Sequence, residues 1–262
     1  MSILLSGDFH ASISGEISSI TKRTLKKRYK SEKYSRINYH IILGDGCFMW
    51  QGNYLHDIAN YETLARRDFP VLCVLGNHEP IYGMTNLSEV DIGIGEKVYQ
   101  IYDNPFIAYL KRGKIYTIDG FKMLVLGGAL SVDKEYQVKN NTWWENEYWS
   151  KQEEQDIFKL LETENTFDCV LSHTGPEHIN KKIFALTYSM PMKVEDKVAL
   201  LNDEIHKRIK FKEWWCGHLH RNQYYYDDEN KCGYQYLYKS TKILEKAGTE
   251  MAVHNEFGMS KR

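Results

Sequence analysis

Short apolar runs recur along the chain, and each stops where polar residues and glycines begin. The runs at 3–6, 39–43, 71–75, 123–126, 167–171 and 211–216 lead into Gly7-Asp8-Phe9-His10, Gly44-Asp45-Gly46, Gly76-Asn77-His78-Glu79, Gly127-Gly128, Ser172-His173 and Gly217-His218-Leu219-His220. Runs this short, bounded in this way, predict buried strands. Between them the spacing of apolar residues predicts helices. One spans 18–33 with Ile20 and Leu25, and a second spans 55–67 with Ile58, Tyr61 and Leu64. A third, 150–162, starts at a Ser150 cap and carries Ile157, Leu160 and Leu161, and a fourth, 194–210, carries Val198, Leu201, Ile205 and Ile209. Alternating strands and helices predict an α/β fold with functional groups at the carboxyl ends of the strands. Segment 234–244 alternates enough for a late strand or hairpin, and the last dozen residues read as a short tail. Segment 133–149 differs from its surroundings, with Tyr136, Trp143, Trp144, Tyr148 and Trp149 among polar residues. It reads as an aromatic insert or flap within one domain spanning 1–262.

Composition narrows the class. The 262 residues are 42% hydrophobic and 26% charged, which suits a soluble globular domain with a sizeable core. A net charge of -1 argues against a surface that clamps duplex nucleic acid on all sides, though not against a local basic patch. The five cysteines have no short regular spacing, and three lie in apolar runs, so buried thiols in a reducing compartment are expected. The opening apolar run is too short for a signal peptide, and no window approaches the ~18 apolar residues of a membrane span. The expectation is a cytoplasmic protein with no membrane or partner-protein requirement.

The strand-end residues carry the chemistry. Asp8 and His10 are two apart at a strand end, so in extended backbone both side chains reach the same side. His218 and His220 repeat that spacing near the other end of the chain. Asp45 and Asn77 each follow a glycine and offer oxygen, and His173 offers nitrogen. This mixed nitrogen and oxygen set has no thiolate, which suits Mn²⁺, Fe or Zn²⁺ in a reactive site rather than a structural zinc. Seven donors exceed what one tetrahedral ion takes and suit two divalent ions sharing a carboxylate, spaced about 3.5–4 Å apart. Such a pair activates water near neutral pH and polarises a phosphoryl oxygen. His78 beside Asn77 is placed to protonate a departing alkoxide, with Glu79 available to orient it.

The order Asp-x-His, Gly-Asp, Gly-Asn-His-Glu, His, Gly-His-x-His, running from Gly7 to His220, resembles the calcineurin-like metallophosphoesterase superfamily. The resemblance implies a four-layer α/β/β/α sandwich with a dinuclear site at the strand ends. It implies that Asp8, His10, Asp45 and His220 hold one ion and that Asn77, His173 and His218 hold the other. Asp45 would then bridge, and His78 would be the catalytic histidine. Gly127-Gly128-Ala129-Leu130-Ser131 and Ser172-His173-Thr174-Gly175-Pro176 are similar to segments of RNA lariat debranching enzymes and their bacterial relatives, although those enzymes alter the first-motif aspartate that this chain keeps. Protein phosphatases of the superfamily carry an arginine just after the second motif. Here Cys47-Phe48 follows Gly46 instead, which favours a phosphodiester or nucleotide-type substrate over a protein or small-molecule phosphomonoester.

Each motif alone has an ordinary reading. Gly-Asp-Gly is a common turn, and a single buried histidine is more often structural than ligating. A catalytically silent scaffold of the same fold is the reading from another class, but it should have lost several of these residues. The basic run Lys22, Arg23, Lys26, Lys27, Arg28, Lys30, Lys33 and Arg36, broken only by Glu32, is either a solvated helix face or a patch for a phosphate-rich ligand such as single-stranded nucleic acid. Ser131 and Lys134 are candidates to touch phosphate. His40, His56, His178, His206 and His254 have no partner motif and read as structural or surface residues.

Overall fold

β1 (Ser2–Gly7) is buried along its whole length, so it lies inside a sheet rather than at an edge. It pairs in parallel with β2 (Ile37–Leu43) and antiparallel with β13 (Ser240–Ala247). The computed structural model describes residues 2–10, 20–30, 35–46, 68–80, 87–103, 106–188, 195–247 and 250–255. The helix expected at 55–67 and Cys47 lie outside them.

Two sheets stack face to face. The first is completed by β3 (Val71–Val74), β4 (Ser88–Val90), β5 (Val98–Tyr102), β6 (Ile107–Tyr109) and β14 (Glu250–Asn255), giving eight strands in the order β14–β13–β1–β2–β3–β6–β5–β4. The second holds β7 (Lys114–Ile118), β8 (Phe121–Val125), β9 (Cys169–Leu171), β10 (Glu213–Cys216), β11 (Gln223–Asp227) and β12 (Cys232–Tyr236). Its six strands run in the order β11–β12–β10–β9–β8–β7. The alternation of side chains along each strand sends one set to the space between the sheets and the other outward. Ile3, Leu5, Ile41, Leu43, Leu72 and Val74 of the first sheet meet Met123, Val125, Cys169, Leu171 and Trp215 of the second in one buried cluster.

The outward faces are covered by helices. α1 (Lys22–Tyr29) packs Leu25 with Leu4, Ile42 and Cys73 on the first sheet. Thr21 caps its start by exchanging hydrogen bonds with Thr24, and Lys30 ends it in a left-handed conformation at φ 50°. The short α2 (Lys134–Lys139) opens the aromatic segment and buries Gln137. On the second sheet, α3 (Lys151–Leu161), α4 (Glu177–Tyr188) and α5 (Lys197–His206) bury Ile157, Ile179, Ile183, Val198 and Ile205 against Val170, Trp214 and Tyr234. Ser150 and Glu153 form the capping box of α3, and Asp196 caps α5. The layers are therefore α/β/β/α, as the resemblance implied.

All six apolar runs form strands, and the helices expected at 18–33, 150–162 and 194–210 appear as the shorter α1, α3 and α5. Two expectations at the carboxyl end change. Segment 234–244 is no hairpin, because β12 lies in one sheet and β13 in the other. Leu237 N–H donates to Cys216 O and Lys239 N–H to Gly7 O as the chain crosses between them. The expected tail is in part β14, which continues the first sheet by pairing with β13; residues 256–262 lie outside the described set.

β10 begins with a buried acid. Glu213 is 9% exposed and accepts a hydrogen bond from the Tyr224 hydroxyl at 3.1 Å. Burial pushes its carboxyl up to about 7, against the opposing effects of Tyr224 and Lys242. A carboxyl whose folded pKa is raised stabilises fully below its unfolded value near 4.5, and that contribution disappears as pH rises through 7. Glu213→Gln is therefore expected to match the native protein at pH 4.5 and to gain on the order of 2–3 kcal/mol relative to it by pH 8. Urea unfolding at both pH values measures this, and parallel pH profiles for the two proteins would show the assignment to be wrong.

Candidate metal centre

The strands that end side by side deliver their next residues to one place. β1, β2 and β3 are parallel neighbours, and so are β9 and β10. Their carboxyl ends present Asp8, Asp45, Asn77, His173 and His218. Sharp backbone turns follow. Asp8, His10, Asp45, His218 and His220 all have positive φ, at 60°, 43°, 48°, 61° and 51°. For residues other than glycine this region costs about 1–2 kcal/mol each, and such strain concentrates at functional sites. Gly76 allows a close approach: a Cβ there would stand 2.1 Å from Asp45 Oδ1.

Asp45 stands in the middle of the cluster and is 2% exposed. Its Oδ2 lies 3.3 Å from His173 Nε2, 3.8 Å from His10 Nε2 and 3.8 Å from His78 Nε2. On one side, Asp8 Oδ1 is 2.7 Å from His10 Nε2 and Asp8 Oδ2 is 3.3 Å from His220 Nε2. The His10 and His220 Nε2 atoms are themselves 2.7 Å apart. On the other side, His173 Nε2 faces Asn77 Oδ1 at 3.0 Å, and the His173 and His218 rings pack with centroids 5.1 Å apart. All seven predicted ligands and His78 thus come together. Among the described residues, Asp8, His10 and His220 form one group whose donor atoms lie within 4.8 Å of one another, and His10, Asp45 and His78 form a second.

The electrostatics fit a cation-binding cluster. Burial pushes the Asp8 carboxyl up, but the His10 and His220 rings outweigh it and bring it down to about 2. Burial opposes ionisation of Asp45 too, yet His173, His78 and His10 hold it far below the usual carboxylate range. Burial disfavours charge on His173 as well, and Asp45, Asp8 and the Leu43 carbonyl overcome this and push the imidazole up to about 10. His10 rises for the same reason, through Asp8 and Asp45. His218, farther from the acids, is driven down to about 4 by burial and by His173. The two raised imidazoles stand beside the buried carboxylates, where positive charge is demanded. Both Asp8 oxygens are buried without a well-aligned hydrogen-bond donor despite the nearby rings. This nitrogen and oxygen donor set fits divalent metal ions.

A second layer of residues holds the first. Glu79, expected to orient His78, accepts the backbone N–H of Gly76 at 2.6 Å and of Asp45 at 3.3 Å on Oε2, tying two strand-end turns together. His173 Nδ1 faces the Leu43 carbonyl at 2.8 Å, which fixes the ring with Nε2 toward the cluster. Ser131 accepts from Asn77 Nδ2 at 2.9 Å, so this candidate for phosphate contact touches a predicted ligand. Lys134 places its ammonium 3.8 Å from the centre of the Trp143 ring. Sequence reasoning missed Glu147, Asn146, Arg112 and Tyr238. Glu147 accepts from Ser131 at 2.6 Å, Asn146 donates to the Glu79 carbonyl at 2.9 Å, and Tyr238 stacks on His220 at 4.5 Å. Their sequence contexts hold no strand-end glycine, and only the fold brings them near. His40, hydrogen-bonded to Ser6, and His178, paired with Asp203, lie in structural contacts elsewhere.

The model of the calcineurin-like phosphoesterase family matches residues 1–222. Comparison with curated proteins gives no match. Among solved structures, a dimetal phosphatase from Danio rerio is similar at 12% identity and a TM-score of 0.52, covering 97% of this chain and 95% of that one. A phosphopantetheinyl hydrolase from Mycobacterium tuberculosis aligns at 13% identity and a TM-score of 0.45 over 91% and 90% of the two chains. At these identities the structural likeness speaks to the fold alone. The family match over most of the chain, together with the ordered strand-end residues, means that the protein belongs to the calcineurin-like phosphoesterase family.

Proposed function

We propose that the chain hydrolyses a phosphodiester or nucleotide-type substrate at two divalent ions held by Asp8, His10, Asp45 and His220 on one side and by Asn77, His173 and His218 on the other, with Asp45 shared. The observation that carries this reading is the position of Asp45 Oδ2, which faces His10, His78 and His173 from the centre of the cluster. When bound, the ions supply Lewis acidity toward the phosphoryl oxygens and make water acidic enough to ionise near neutral pH.

The side chains do the remaining work. His10 and His220 retain exposed surface, whereas His78 and His173 are buried, so a phosphoryl group enters from the side of the first two. His78 Nε2 points into the cluster and is the group that hands a proton to the departing oxygen. The buried turns of Asp8 and Asp45 exclude bulk water and keep both carboxylates from relaxing toward solvent. Two features support a diester: the second motif lacks an arginine to clamp a dianionic monoester, and the aromatic-rich segment 133–149 is tied to Asn77 through the Glu147–Ser131 hydrogen bond. The described cysteines, Cys73, Cys169, Cys216 and Cys232, are buried thiols, which supports a reducing, cytoplasmic setting. No described helix is long and apolar enough to cross a membrane.

Metal-free protein is expected to be inert, and added Mn²⁺ to restore hydrolysis of bis-p-nitrophenyl phosphate above that of p-nitrophenyl phosphate. Turnover on neither ester, with two ions shown bound by elemental analysis, would overturn the reading. His78→Ala is expected to lower kcat by about 100-fold or more while leaving the bound metal unchanged. Steady-state kinetics at saturating substrate and Mn²⁺ tests this, and a variant with native kcat removes His78 from the reaction.

A further inference from the structure

A ligating asparagine has a problem that a ligating aspartate does not. Its two ends are opposite in polarity, and a flipped amide turns N–H donors toward the cation. Something must therefore choose the orientation of Asn77. In the fold, Asn77 Oδ1 faces His173 Nε2 at 3.0 Å and Asn77 Nδ2 donates to Ser131 Oγ at 2.9 Å. Ser131 has one proton, and it goes to Glu147 Oε2 at 2.6 Å. With that proton committed to a carboxylate, Ser131 Oγ has only acceptor capacity left for Asn77. The chain of hydrogen bonds therefore has one allowed direction. Ser131 is 4% exposed and Glu147 is fully buried, so water does not compete for either group.

Glu147 is itself fixed from both sides. Arg112, 6% exposed, donates to the carbonyls of Asn146 at 2.7 Å and Tyr148 at 2.8 Å, the two neighbours of Glu147, while pairing with Glu153 at 2.7 Å. Asn146 donates to the Glu79 carbonyl, and Trp149 Nε1 donates to Gly127 O at 2.7 Å. Gly128 lets the segment lie flat: its φ is +84°, and a Cβ there would stand 2.1 Å from Glu147 O. The aromatic segment is thereby bonded to the turns that carry Asn77 and Ser131.

We infer that Ser131 and Glu147 are positioning residues that fix the Asn77 amide with its oxygen toward the second metal ion. This rests on the two-metal reading above. Glu147→Gln keeps the size of the side chain but adds an amide donor. That donor can point at Ser131 Oγ, free the hydroxyl to rotate toward Asn77, and permit the flipped amide. Ser131→Ala removes the selection altogether. Asn77→Asp removes the need for it, because both carboxylate oxygens suit a cation.

Calorimetric titration of the metal-free chain with Mn²⁺ tests the assignment without relying on turnover. The native chain is expected to bind two ions. Ser131→Ala and Glu147→Gln should each weaken the second ion by about 10- to 100-fold and leave the first within a few-fold. In an Asn77→Asp background the same two changes should alter the second ion's affinity by less than about threefold. Native affinity for both ions in Glu147→Gln, the isosteric variant expected to fold normally, would overturn the inference. So would an equal loss in the native and Asn77→Asp backgrounds, which marks a merely structural role. A native chain that binds no second ion overturns the two-metal reading itself, and this inference falls with it for a reason the titration makes distinguishable.

Discussion

An aspartate carboxylate that is almost fully buried is stable only if its surroundings supply positive charge or hydrogen bonds. Asp45 meets that demand with groups from both sheets. His10 and His78 come from the first sheet's strand ends and His173 from the second's. Its backbone N–H is held by Glu79, and its Oδ1 accepts from the His78 N–H at 3.2 Å. The two sheets must therefore be in register for Asp45 to be satisfied. The apolar cluster between them sets that register, and the strand-end turns convert it into site geometry. A shift of one sheet on the other would separate His173 from Asp45 and leave the buried carboxylate with only the groups of its own sheet.

The same dependence explains what is legible in the sequence. A strand that ends in glycine and is followed by Asp, Asn or His carries both a structural and a chemical signal within a few residues. Asp8, Asp45, Asn77, His173 and His218 all stand at the ends of apolar runs, and the parallel pairing of β1 with β2, β2 with β3 and β9 with β10 brings them together as expected. Less is legible where the partner is distant and the local pattern ordinary. α4 (Glu177–Tyr188) follows Pro176 in a stretch whose apolar pattern is blurred by outward-facing residues such as Leu186, 67% exposed. β4 to β7 are short and include exposed polar positions such as Ser88 and Glu89, which weakens the periodic signal. The crossing at 237–239 reads as part of one late strand or hairpin because alternation cannot say which sheet a strand will join.

Glu147 and Arg112 show a further limit. Neither lies near a motif, and each is charged, so each would be placed on the surface by composition alone. Their burial makes sense only as a set: Arg112 pairs with Glu153 and takes two carbonyls, and these contacts hold Glu147 over Ser131. Buried polar networks of this kind are stable when complete and costly when broken. The aromatic segment supplies the apolar cover, with Trp149 packed in the helix-side core beside Ile157. A segment that reads as a flap in the sequence is, over 145–149, hydrogen-bonded to the turns that carry the site.

Exposure also gives the cluster a direction. His173 and Asp8 are fully buried, Asp45 nearly so, His10 retains 25% of its side-chain surface and His220 retains 49%. The exposed end is covered on one flank by Tyr238, which stacks on His220 as the chain crosses between the sheets. The buried carboxylates therefore lie deep, and the more exposed rings lie at the mouth. A group arriving from solvent meets His220 and His10 before it meets the carboxylates, which lie behind them and are held by their own partners.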